Sequence, residues 1–261
     1  MRVAASLPNL AALFLLLTAS RAPAQTLPDA APATSAAALA SCDHPFGLRE
    51  GHNLEYQLLD SKGKPTGTWR YRVLSISTDT LGKKKNRVAT TSVRIKSGWY
   101  DLDNRVKQQQ DLTYLCRRDT TFTDGLCEIN YASLESFRER RKAYVGTPVA
   151  WPNQPKAASV LPSGGVLIQV SSPSVAIAQV TSTVKQRKIL AGPVAVTVPA
   201  GTFSCYQVES QRESTTAARA DMVMKSGGRA VDFYDPAVGI IKTEYYDKAG
   251  KLTQSKVLAK R

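Results

Sequence analysis

The 261-residue chain predicts a mainly β domain, an antiparallel meander with one helix. Three observations carry that expectation. Short turn signals starting with Asp recur at 60–64 (DSKGK), 79–83 (DTLGK), 101–105 (DLDNR) and 247–251 (DKAGK). The runs beside them alternate, as Thr68, Arg70 and Arg72 do against Trp69, Tyr71 and Val73. A single segment, 131–144, breaks the pattern with helical spacing and no Gly or Pro.

The N-terminus reads as a targeting segment. Arg2 opens it, LAALFLLLTA (10–19) is its apolar run, and Ala22-Pro23-Ala24 is a small-x-small cleavage site. The run falls short of the roughly 20 residues that span a bilayer. The expectation is a signal peptide over 1–24, export to the periplasm or beyond it, and no transmembrane segment. Residues 25–41, rich in Ala, Pro, Ser and Thr, read as a disordered leader to one domain over 42–261. LASC (39–42) resembles a lipoprotein box, which would lipidate Cys42. Such a box must directly follow the apolar run, whereas here Asp29 and three prolines intervene, so Cys42 reads as a disulfide cysteine.

The Gly-Lys pair at 63–64 raises the question of a phosphate-binding loop. That motif needs a glycine five residues before the Gly-Lys and a hydroxyl directly after it, but Leu58 and Pro65 stand there. Tyr245 and Leu252 fail the same test at 247–251. A hairpin turn explains both: Asp bonds its own backbone, and Gly takes the positive-φ position that Asn104 takes in DLDNR. Strands are expected at 53–59, 67–77, 87–100 and 106–116, then at 193–198 and 202–210 around the turn PAG, and at 237–246 and 251–259. Such tight connections make neighbours antiparallel. The helix over 131–144 places Leu134, Phe137 and Arg141 on one side, with Ser133 as its cap. The Pro/Gly-rich stretch 147–165, holding Trp151, is a long connection back to the sheet.

Four cysteines, Cys42, Cys116, Cys127 and Cys205, allow three pairings into two disulfides in an exported protein. Cys116 and Cys127 flank a stretch containing the turn signal Asp124-Gly125, which suggests a staple across a hairpin; Cys42 then pairs with Cys205. Zinc is disfavoured, because Cys42-Asp43-His44 has no second ligand pair.

Lys and Arg number 35 against 21 Asp and Glu, a formal charge of +14 that attracts anionic surfaces. The charge is scattered, with concentrations at KKKNR (83–87) and RERRK (138–142) that read as solvated faces. Lys83, Lys84, Lys85 and Arg87 are the candidate contacts if a polyanion binds. Nucleic acid is not expected, since export removes the encounter and no recognition motif is present.

Catalytic constellations are missing. There is no Gly-x-Ser-x-Gly elbow. The calcium-like start Asp101-x-Asp103 meets Arg105 where a ligand is required. His44 and His52 read as surface or capping residues, and the strand aromatics as core packing. No enzyme, cofactor or metal is expected; His52 and Asp43 would be the first polar residues to test for activity.

The segments CDHPFGLREGHNLEYQLLDSKGK, TYLCRRDTTF, LPSGG, VTVPAGTFSCYQV and AVGIIKTEYYDKAGKLTQSKV follow in an order that resembles the TapB-like family of exported bacterial proteins, a 3108-like domain of unknown function. The likeness covers most of 42–261 and departs at FYDPAVG (233–239), where an aromatic is expected before Val-Gly. It implies a strongly bent antiparallel sheet, a half-barrel, distantly similar to envelope lipoprotein carriers, and brings no catalytic residues. One helix and one connection leave part of such a concave face open. The expected function is therefore non-catalytic binding of a lipid or acyl chain in the cell envelope, with Arg70, Arg72 and Arg94 holding an anionic head. The alternative is a scaffold that binds a partner protein or anionic glycan through its basic surface.

Overall fold

The computed structural model describes residues 41–81, 87–173, 175–219 and 222–261. The expected signal peptide, the leader up to residue 40, and Lys83, Lys84 and Lys85 lie outside them.

The described residues form fourteen strands: β1 (Asn53–Asp60), β2 (Pro65–Leu81), β3 (Val88–Tyr100), β4 (Val106–Arg117), β5 (Thr120–Thr123), β6 (Arg141–Thr147), β7 (Val149–Pro152), β8 (Val160–Leu161), β9 (Gly164–Ser171), β10 (Ala176–Val198), β11 (Gly201–Arg219), β12 (Met222–Asp235), β13 (Gly239–Tyr246) and β14 (Leu252–Lys260). All join one antiparallel sheet in the order β6-β9-β10-β11-β12-β13-β14-β1-β2-β3-β4-β5-β7, with β8 beside β10. The sheet curls into a nearly closed barrel with one unsealed seam between β6 and β7. Those two edge strands are consecutive in the chain, with only Pro148 between them.

The turns behave as their composition requires. Asp60 Oδ1 accepts from the amides of Lys62 and Lys64 at 2.8 and 2.9 Å, and Gly63 sits at φ 78°. Asp247 Oδ1 accepts from Ala249 and Lys251, both at 2.9 Å, with Gly250 at φ 79°. Asn104 takes φ 61° while Asp101 accepts from Arg105 at 2.8 Å. These are hairpin tips. The hairpin around PAG forms as well, with Val198 opposite Gly201 and Val194 opposite Cys205. Bulges after Lys185, Ile189 and Ala191 bend the long β10, which lets the sheet wrap.

Two expectations are corrected. Residues 131–144 are not one helix: Tyr131–Phe137 form a 3-10 turn, and the following residues enter the edge strand β6. The N-terminal cap is Asn130, whose side chain accepts from the Ala132 amide, while the Ser133 hydroxyl bonds Ser214 at 2.9 Å. Leu134 and Phe137, three apart, satisfy the tighter turn equally well. With the 3-10 turn Gly125–Glu128, this segment straps the concave side of the sheet. Leu134 packs on Val166, Ile168, Val170 and Val180, whereas most of the core lies elsewhere, around Trp151, Tyr234, Ile189 and Leu258.

The disulfide pairing also differs. Cys42 joins Cys116, and Cys127 and Cys205 are thiols. The β4–β5 hairpin turns at Arg118, not at Asp124-Gly125, so Thr121 stands opposite Cys116. Cys127 lies past β5 and faces the interior, 3.6 Å from the Tyr114 hydroxyl. Cys205 is fully buried on β11. Burial pushes both thiols up to about 12, which leaves them inert. Non-reducing peptide mapping should therefore recover one bridged pair, and thiol titration should find two groups only after unfolding. Because the bridge closes 74 residues, replacing both its cysteines with Ala should cost about 4 kcal/mol in urea unfolding.

Candidate binding cavity

The curl leaves a cavity of about 370 Å³ between the strap and the strands β2, β3, β10, β11, β13 and β14. Its size falls in the range of small-molecule sites. One wall is aromatic. Trp69 and Trp99, directly opposite each other on β2 and β3, stack with ring centroids 6.3 Å apart. Tyr131 of the strap closes on both, at 6.0 and 6.4 Å. Its hydroxyl donates to Gln110 Oε1 at 2.7 Å, and burial raises its pKa above the ordinary phenol range. The strand aromatics thus pair across strands as expected, and four of them, Trp69, Tyr71, Trp99 and Tyr245, line the cavity.

The strap is pinned from the opposite side. The Asn130 amide donates to the Ser182 hydroxyl at 3.2 Å, and Glu128 pairs with Arg212. Arg212 also reaches Asp232 at 3.3 Å, and Thr243 donates to Asp232 at 2.7 Å. Burial alone would lower the pKa of Arg212, but Glu128 and Asp232 outweigh it and raise it. Two carboxylates on one guanidinium leave this cluster with no cation to spare.

Lys256 differs. It lies on β14 opposite Leu58 of β1 and lines the cavity. Its ammonium stands 5.2 Å from the Tyr56 ring centroid and has no carboxylate partner among the described residues. Neither Lys256 nor Arg212 was a candidate in the sequence. The usable signal was alternation: Leu252, Gln254, Lys256 and Leu258 share one face, so a cation falls on an inward row.

The candidates that the sequence proposed lie elsewhere. Arg70 and Arg72 alternate with the inward Trp69 and Tyr71 and therefore face outward. Arg70 pairs with Glu55 at 3.2 Å and stacks on Tyr100 at 4.5 Å. Arg94, between the buried Val93 and Ile95, is exposed on the outer face, and Arg87, just before β3, is exposed and does not line the cavity. An anion held inside would not meet these four. His52 and Asp43 do not line the cavity. Among the described residues no group of three or more His, Cys, Asp or Glu could hold a metal, and no helix is long and apolar enough to cross a membrane.

Two solved structures share the architecture. A protein of Parabacteroides distasonis described as a lipoprotein superposes with TM-score 0.65 at 21% identity, over 84% of this chain and 99% of its own. A Bacteroides fragilis protein described as exported, with a YmcC-like fold, gives TM-score 0.63 at 16% identity, over 83% and 98%. Identities this low establish the fold alone. No curated protein matches the chain. The family model of the DUF3108-like group matches residues 49–258, nearly all of the barrel, and the chain belongs to the DUF3108-like family.

Proposed function

We propose that the protein is a non-catalytic binding protein of the cell envelope that holds an amphiphile, a lipid or acyl chain with an anionic head, inside the barrel. The supporting observation is the pairing of an open aromatic cavity with one uncompensated cation. Trp69, Trp99 and Tyr131 offer apolar faces to a chain. Lys256 offers the charge, since Arg212 is already neutralised. An unpaired ammonium beside an aromatic ring gains most when an anion completes it. The envelope location is supported by the apolar N-terminal run and by the descriptions of the two similar structures as an exported protein and a lipoprotein.

The test is native mass spectrometry of protein purified from its own envelope, followed by lipid extraction and titration with a lysophosphatidylglycerol. A lipid adduct is expected, and Lys256→Gln should weaken that titration about tenfold, as loss of one charge-assisted bond would. Lysophosphatidylcholine, with no net charge, should respond far less to the substitution. An empty protein whose affinity is indifferent to Lys256 would overturn the reading.

A second reading, binding of an anionic glycan, draws on an outer groove. Arg72, Lys96 and Lys260 line it beside Arg70 and Tyr100, with Glu55 as the one acid among the described lining residues. Titration with an anionic oligosaccharide alongside the lipid separates the two.

A further inference from the structure

We propose that one end of the sheet docks on an anionic membrane surface. The strand registers bring five chain segments to that end. Arg141, the first residue of β6, stands opposite Ser171, the last of β9, and Ser171 also faces Ala176, the first of β10. On the other side Gln179 of β10 pairs with Ala217 of β11, and Ala217 with Val223 near the start of β12. A basic stretch, 138–142, and the beginnings of β10 and β12 therefore share one rim.

That rim is apolar where it is most exposed. Val175 is 64% exposed, Met222 48%, Val223 45% and Met224 66%. Met222 and Met224 continue the inward row of Thr216, Ser214 and Ala230, beyond the reach of the strap. Three consecutive large apolar side chains in water, with Val175 at the same end of the sheet, are a standing cost unless a partner takes them up.

Charge argues for lipid as that partner. The stretch 138–142 carries four cations against Glu139, and Arg138 is engaged by Glu135 at 2.6 Å. Lys142 donates to the carbonyls of Arg138 and Arg140, at 3.0 and 3.1 Å. Arg140 and Arg141 are exposed and have no carboxylate partner among the described residues. Lys225 adds a cation directly after Met224. Exposed methionine and valine side chains and unpaired guanidinium groups at one end of the sheet suit a surface that offers acyl chains and phosphates together. The expectation that 138–142 is simply a solvated helix face leaves both the apolar rim and this combination unexplained.

The inference does not rest on cavity binding, and its test is separate. The chain without residues 1–24, whose apolar run would itself enter lipid, is sedimented with vesicles of phosphatidylcholine, alone or mixed with phosphatidylglycerol. Binding should require phosphatidylglycerol. Arg140→Gln/Arg141→Gln should weaken it on the order of twentyfold, at about fivefold per cation at a charged surface. Met222→Asp/Met224→Asp should abolish it while circular dichroism and the lysolipid titration stay unchanged, because these exposed side chains belong to neither core nor cavity. Binding by wild type that is indifferent to both double substitutions would overturn the proposal. So would the lack of any vesicle binding, which would leave the rim to a protein partner.

Discussion

Gly165→Ala is expected to be among the most damaging single methyl additions in the barrel. Gly165 is the second residue of β9, near the seam, with φ at 141°, a conformation that side chains resist. A Cβ there would lie 2.2 Å from the Ser182 carbonyl oxygen and 2.8 Å from the Thr183 Cα, both backbone atoms of β10 that cannot step aside alone. Strain of about 1–3 kcal/mol and overpacking of about 1–3 kcal/mol together predict a loss of roughly 3–5 kcal/mol. That is a large share of the about 5–15 kcal/mol that a domain has. Gly125 and Gly164 sit in the same crowd, where a Cβ on Gly125 would lie 2.0 Å from the Gly165 oxygen. Backbone thus packs against backbone where β6, β7, β9 and the strap meet. Gly63→Ala is the control: φ is 78° but no atom lies within 4 Å, so only about 1 kcal/mol of strain should appear. Urea unfolding of the two variants measures the difference. Equal losses would show that the seam yields, and would remove the argument that it is tightly packed.

The second large effect is expected at Arg212. Its carboxylate partners are almost wholly buried, Glu128 at 7% and Asp232 at 3% side-chain exposure. Arg212→Met leaves two buried anions with no cation between them, and should cost about 3–5 kcal/mol. Glu128→Gln should cost less, because the Asp232 pair survives. Replacing Arg212, Glu128 and Asp232 together by apolar residues should recover most of the loss, since a buried ionic cluster and a well-packed apolar one are close in free energy. A triple variant as unstable as Arg212→Met would mean that the cluster holds the strap through its hydrogen bonds, with charge secondary. The outcome bears on the cavity too, because Glu128 sits on the strap and Arg212 in the opposite wall. If the pair anchors the strap, Arg212→Met should also weaken lysolipid binding through displacement of Tyr131.

Much of the fold was legible in particular residues. Asp60, Gly63, Asp247, Gly250 and Asn104 announced their turns because hairpin tips depend on neighbours two to four positions away. Trp69 and Tyr71 against Arg70 and Arg72 announced a two-faced strand. Longer-range matters were misread for one reason. The signal Asp124-Gly125 outweighed the real turn at Arg118, and the wrong turn supplied the wrong cross-strand partner for Cys116. A Cys-Cys contact 74 residues apart leaves no local trace. The segment after Asn130 satisfied a helix and a 3-10 turn alike, and only the vacant edge of β9 drew Arg141–Thr147 into a strand.

By itself the sequence determined an antiparallel β meander, its hairpin tips and the inward or outward sense of most strand residues, because those depend on contacts along a few residues of chain. Tertiary structure decided the rest: the near-closure of the sheet, the Cys42–Cys116 bridge, the strap, and the meeting of Trp69, Trp99, Tyr131, Arg212 and Lys256 around one cavity. The face of a strand follows from its own period of two, but which faces converge depends on sheet curvature and on bulges such as those of β10. Arg70 and Lys256 show both parts, each a cation on a strand: the period sends Arg70 outward and Lys256 inward, and the curl of the sheet makes the face that carries Lys256 a wall of the cavity.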